Sequence, residues 1–224
     1  MRKKREFLRQ RFFQQINRVR MENLRSRISP HFTFNVLGRE INQFNGSEEV
    51  KHNLMELVKY LRRSLELTEK LSVSLQDELD FVRTYIELER GRVGEDFVAT
   101  ITVEDGLDAI RIMIPSMIVQ IPVENAIKHG LAGKDGKKEL MVYVSRETNG
   151  IRITVTDNGR GYLPQVVSAT RGTGTGLKVL YQTIQLLNTK NKSDKIRFNI
   201  TNRSDGQTGT EVSVYIPFRF SYDL

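Results

Sequence analysis

The chain has 224 residues, with 35 Lys/Arg against 27 Asp/Glu, three His and no Cys. The absence of cysteine excludes a disulfide framework and thiolate metal sites. No run of about 18 apolar residues is present, so no membrane span is expected within it, and no apolar stretch near Met1 suggests a secretory signal.

The net charge of +8 sits at one end. Residues 1–30 hold ten Lys/Arg and two acids, Glu6 and Glu22, which leaves 25 of each sign in the remainder. That concentration argues against a nucleic-acid-binding face of the whole protein. The basic segment has three readings: a juxtamembrane stretch, a nucleic-acid contact, or a solvated helix face carrying long cationic side chains.

Residues 5–28 read as a helix, because Leu8, Phe12, Ile16, Val19, Leu24 and Ile28 recur at helical spacing without Gly or Pro. The narrow apolar stripe suits pairing with a second helix. Pro30 should kink or restart it. Apolar residues continue over 31–44, and Asn45-Gly46-Ser47 forms a turn with Ser47 as a fair N-cap. A second helix is expected over 48–68, and a third near 74–91, ending at Gly91.

The pattern then changes. FVATITV (97–103), ELMVYVS (139–145), IRITVTD (151–157), KIRFNIT (195–201) and TEVSVYIPF (210–218) alternate and are rich in β-branched residues, as strands are. Helices fit 115–129 and 174–188. The boundary falls near 92–96, giving a helical region over 1–94 and an α+β domain over 95–224 with helices on one sheet face.

Three runs carry chemistry: VENAIKHG (123–130), DNGRG (157–161) and GTGTGL (172–177). No P-loop is present, and neither glycine cluster reads G-x-G-x-x-G after a strand. A nucleotide pocket of another kind needs an acceptor for the adenine amine, and Asp157 at a strand end suits that task. Gly159 and Gly161 let the backbone pass close to the base. Mg²⁺ takes oxygen ligands and keeps several waters, and Asn125 offers an amide oxygen beside the Glu124 carboxylate. Lys128 and His129 can meet phosphate oxygens. The loop of Gly172, Gly174, Thr175, Gly176 and Leu177 precedes a helix whose N-terminus can face an anion. Taken singly, the runs also read as an amphipathic helix, a turn and a flexible loop.

The three runs resemble the N-box and two glycine boxes of the Bergerat ATP-binding fold. That resemblance implies Asn125 on Mg²⁺, Asp157 on adenine, a glycine box over the phosphates, and an ATP lid over 162–171. Of the three histidines, His52 reads as a surface residue and His129 belongs to the N-box. His31 stands in P-H-F-T-F-N (30–35), which resembles the P-H-F-x-F-N signature of LytS/YehU-like sensor histidine kinases. The runs 75–94 and 114–130 resemble that family's linker helix and extended N-box, so the likeness covers roughly 20–218.

The family likeness implies a Bergerat-type α/β sandwich with a mixed sheet, preceded by a helical dimerisation and phosphoacceptor region. It implies ATP-dependent autophosphorylation on His31, then transfer to an aspartate of a response regulator of the LytTR type. It further implies a homodimer, Mg²⁺, and attachment to a membrane through an N-terminal sensor region that precedes these residues, with no direct nucleic-acid partner. Phe32 follows His31 where other histidine kinases often carry an acid, so the base is not named by the sequence; Glu124 is a candidate by its place in the N-box. The alternative is a dimeric nucleotide-binding scaffold without phosphotransfer.

Overall fold

The computed structural model describes residues 48–162, 175–189, 191 and 193–222. The expected helix over 5–28, His31, Ser47, Gly172, Gly174 and most of the expected lid lie outside these residues.

Helix α1 spans Glu48–Glu69. Its buried residues Leu57, Tyr60, Ser64 and Leu67 lie three or four apart and form one face. A three-residue strand, β1 (Ser72–Ser74), leads into α2 (Leu75–Val93). Ser74 caps α2, its Oγ accepting the Asp77 N–H at 3.0 Å. The helix runs through Gly91, where the sequence predicted its end. It stops at Gly94, whose φ is 114° and whose N–H donates to the Arg90 carbonyl. The buried Val93 keeps the last turn on the core, and Gly94 supplies the positive φ. Tyr60 of α1 stacks on Phe81 of α2 with ring centroids 4.8 Å apart, and Arg63 pairs with Asp77 at 2.5 Å.

The main sheet has five strands: β2 (Phe97–Val103), β4 (Lys138–Glu147), β5 (Gly150–Asp157), β6 (Arg197–Asn202) and β7 (Thr210–Pro217). Their order is β2-β4-β5-β7-β6, with β2 and β4 parallel and the other pairs antiparallel. Strand β3 (Met113–Pro115) pairs with β1 in a separate two-stranded sheet. Alternation decides which face is covered. Leu140, Val142 and Val144 of β4 are buried, whereas Met141 and Tyr143 between them are exposed.

The covered face meets α2, α3 (Gln120–Asn125) and α4 (Thr175–Asn188) in one core. Leu79, Val82 and Ile86 come from α2, Ile121 and Val123 from α3, and Leu180, Ile184 and Leu187 from α4. Tyr60 and Leu67 of α1 join the same cluster, so the core runs across residue 94.

The expected helix over 115–129 starts later and ends wider. Met117 takes φ 68°, so 116–119 form a turn, not a helix. Pro122 sits in the first turn of α3, where its missing N–H forfeits no intrahelical bond. After Asn125 the chain makes a π turn over Ala126–Gly130, with the Leu131 N–H donating to the Ala126 carbonyl at 2.8 Å.

Candidate functional site

Asp157 ends β5, the middle strand of the main sheet, and is 4% exposed. Its Oδ1 accepts the Gly159 N–H at 2.8 Å and the Thr210 N–H at 3.4 Å. Burial pushes its carboxyl above the ordinary aspartate value, and the hydrogen bonds from Gly159 and Thr210 and the nearby Arg203 charge oppose that shift.

Three glycines press on this carboxylate and its main chain. A Cβ on Gly130 would lie 2.8 Å from Asp157 Oδ1, and one on Gly209 would lie 1.9 Å from the Asp157 carbonyl. A Cβ on Gly159 would lie 2.1 Å from the Gly130 carbonyl. The VENAIKHG and DNGRG runs therefore cross at their glycines, backbone against backbone. The π turn delivers Gly130 to that crossing. Three hydrogen bonds fasten it: Arg160 N–H to the Gly130 carbonyl at 3.3 Å, the Arg160 guanidinium to the Ala132 carbonyl at 2.7 Å, and the Glu139 N–H to Asn158 Oδ1 at 2.8 Å. Gly161, at φ 85°, then leads to Tyr162, whose N–H donates to Asn202 Oδ1 at 2.6 Å.

The sequence reading missed Gly209 and Thr210, and it treated Gly130 only as a helix end. Thr208-Gly209-Thr210 before an alternating strand reads as a turn, and its contact with Asp157 spans more than 50 residues. Asn158 was also passed over; its side chain ties the start of β4 to the DNGRG turn through Glu139 and the Lys137 carbonyl.

The second end of the site is built from side chains. Asn125 closes α3, and its Nδ2 donates to the Ile121 carbonyl at 2.9 Å, which turns the amide oxygen into the end available for a cation. Glu124 is buried with both oxygens engaged: Oε1 accepts from Gln120 Nε2 at 3.2 Å, and Oε2 pairs with Lys128 Nζ at 3.3 Å. Lys128 also stands 5.9 Å from the centre of the Tyr85 ring. His129 is half-buried, and burial, then the Lys128 and Arg160 charges, hold its imidazole below the ordinary value. The same surroundings oppose a positive charge on the ring and leave its N–H as a hydrogen-bond donor.

Thr175, Gly176 and Leu177 form the first turn of α4, which packs beside α3. Gly172 and Gly174 lie outside the described residues, as does His31. The structure thus brings Glu124, Asn125, Lys128, His129, Asp157, Gly159 and Gly161 onto adjoining elements. Among the described residues no cluster of three His, Asp or Glu side chains is arranged to hold a metal. The donor set suits an ion carried mainly by its own phosphates and waters, with one protein amide oxygen completing it.

Residues 19–97 match the family described as histidine kinase, and residues 112–219 match the histidine kinase-, DNA gyrase B-, and HSP90-like ATPase family. The chain is 28% identical over 202 residues to the sensor histidine kinase YpdA of Escherichia coli (strain K12), a match covering 90% of this chain and 34% of that protein. It is 32% identical over 197 residues to the sensor histidine kinase/phosphatase LytS of Staphylococcus aureus (strain MRSA252), covering 84% of this chain and 33% of that one. The chain thus spans about a third of the length of these curated relatives. Among solved structures, the histidine kinase domain of the Erythrobacter litoralis EL346 blue-light activated histidine kinase aligns with TM-score 0.51 at 15% identity over 93% of each chain, a likeness of fold. With both family matches present in this order, the chain carries a histidine kinase domain followed by the ATPase-type domain that holds its sheet, and over most of its length it is similar to LytS-type sensor histidine kinases.

Proposed function

We propose that the chain is an ATP-dependent protein-histidine kinase that phosphorylates itself on His31 and passes the phosphoryl group to a response-regulator aspartate. The observation that carries this reading is the crossing of the VENAIKHG and DNGRG runs at Gly130 and Gly159, which leaves a buried carboxylate beside a shell of main chain. The tight glycine crossing fixes the place of Asp157, and its carboxylate supplies the acceptor that an adenine amine requires.

In this reading Asp157, Gly159 and Gly161 hold the adenine. Asn125 would hold Mg²⁺ through its amide oxygen, and Lys128 and His129 would meet the phosphates. The glycine run of Gly172, Gly174, Thr175, Gly176 and Leu177 would contact them. Bound Mg²⁺ supplies neutralisation of phosphate charge. Lys128 adds a second positive charge, and His129 adds an imidazole N–H donor. The rest of the rate would come from positioning His31 in line with the γ-phosphorus.

The region over 1–94 serves in this reading as the dimerisation and phosphoacceptor part, and 95–224 as the catalytic domain. The basic segment over 1–30 suits the cytoplasmic flank of a membrane-bound sensor region. Among the described residues no helix is long and apolar enough to cross a membrane. A LytTR-type regulator is the partner that the family likeness favours. The test is to incubate the chain with Mg·ATP and map the modified peptide: the reading predicts phosphate on the peptide that carries His31, and phosphate elsewhere or nowhere contradicts it.

One observation favours a second reading, a dimeric nucleotide-binding scaffold. Glu124, the candidate base, has both carboxylate oxygens engaged by Gln120 and Lys128. Nucleotide binding without any phosphohistidine would select that reading.

A further inference from the structure

Glu78 lies in the first turn of α2 and is fully buried. Its carboxylate accepts three main-chain N–H groups from a segment about 40 residues away: Met117 to Oε2 at 2.9 Å, Val119 to Oε1 at 3.1 Å, and Gln120 to Oε1 at 3.2 Å. These are the donors at the entrance of α3, the helix that carries Glu124 and Asn125. The N-cap of α3, Val119, has no side chain able to cap, so α2 supplies the cap from outside. Met117 takes φ 68°, a conformation that an L side chain adopts only when its surroundings impose it. The same joint is bolted twice more: Ser116 N–H donates to the Leu71 carbonyl at 3.1 Å, and Ser116 Oγ to the Leu67 carbonyl at 2.5 Å.

We propose that Glu78 is a positioning residue that fixes the start of α3 to α2 and thereby sets where Asn125 and Lys128 stand relative to Asp157. Asp157 is held by Gly159 and Thr210, and Gly130, two residues beyond Lys128, packs against it. Asn125 and Lys128 lie between the Glu78 anchor and the Gly130 crossing, so a displacement of α2 along its axis acts first on the phosphate end of the site and reaches the adenine end only through that crossing. That is a direct mechanical route from the helical region to the nucleotide. The inference rests on the nucleotide reading of the site.

The test uses the full 224-residue chain and two probes. Adenosine reports on the Asp157 end, and Mg·ADP reports on both ends. Glu78→Gln keeps the volume but turns an amide donor toward an N–H, and Glu78→Ala removes the anchor. For Glu78→Gln the expected result is about a tenfold loss of Mg·ADP affinity with a much smaller loss, about twofold or less, for adenosine. Equal losses on both probes mean a general structural role and overturn the proposal, as does no loss on either. If Glu78→Ala fails to fold, Glu78→Gln alone decides the question. Wild-type protein that binds neither probe would overturn the nucleotide reading itself, which separates the two failures.

Discussion

The two ends of the candidate site are made of different material. Around Asp157 the contacts are backbone: Gly130, Gly159 and Gly209 pack against the carboxylate or its carbonyl with no room for a Cβ. Beside Asn125 the contacts are mostly between side chains: buried Gln120, Glu124 and Tyr85 meet the partly exposed Lys128. Backbone packed against backbone beside a strand end has one arrangement, whereas ion pairs and long side chains have several within reach. The difference suggests a division of labour. In the proposed function the Asp157 end would be a fixed reader of the base, and the Asn125 end would be adjustable and open to control by the helices that precede it.

The largest expected effect falls on the fixed end. Gly159→Ala places a methyl group against the Gly130 carbonyl, which cannot rotate away. Unfolding in urea should show a loss of about 3 kcal/mol, with adenosine binding abolished. A near-neutral result would mean that the crossing is looser than described, and the contrast between the ends would weaken.

Next is Asp157→Asn. Adenosine affinity should fall about 10- to 100-fold, since a charged acceptor is replaced by a neutral one. Stability should move the other way. The raised pKa means that the folded state favours the protonated carboxyl, so Asp157 lowers stability as pH rises through its folded pKa. The asparagine variant should therefore match or exceed wild type near pH 7. Its advantage should shrink as pH falls toward the ordinary aspartate value of 3.8. Denaturant midpoints across pH check the sign.

A smaller change is expected at the adjustable end. Lys128→Met leaves Glu124 with Gln120 as its remaining hydrogen-bond donor among those described. Stability should drop by about 1 kcal/mol, and Mg·ADP should bind about tenfold more weakly while adenosine binding holds. Loss of adenosine binding as well would show that the two ends are not separable. The smallest effect is that of His129→Gln. The lowered pKa of His129 makes the wild type lose stability as pH falls below about 6.5, because the unfolded chain takes up the proton first. The glutamine variant should show a flatter profile in that window.

The same contrast explains what was legible in the sequence. Alternation placed β2 at its observed limits and the other main strands within a residue or two, and the helical period placed α1 and α4. Asp157 was legible because an acid at a strand end before Asn-Gly is a local pattern. The glycine cradle was only partly legible. DNGRG announced itself, but Gly209 looked like any turn glycine, because its partner lies across the sheet. Strands β1 and β3, at three residues each, carry no period to detect. Glu78 read as one acid among several on a charged helix, yet it is fully buried and answers to donors about 40 residues away. The π turn was hidden because VENAIKHG has an ordinary helical composition; what widens it is the need to bring Gly130 against Asp157.

The central claim is that this two-ended site delivers one phosphoryl group to His31. Incubation with γ-labelled ATP and Mg²⁺, comparing wild type with His31→Ala while checking that both bind Mg·ADP, tests it most directly. The account predicts acid-labile label on the wild type and none on the variant, at equal nucleotide affinity. Equal labelling of both proteins, or no label on a wild type that binds nucleotide, would contradict it.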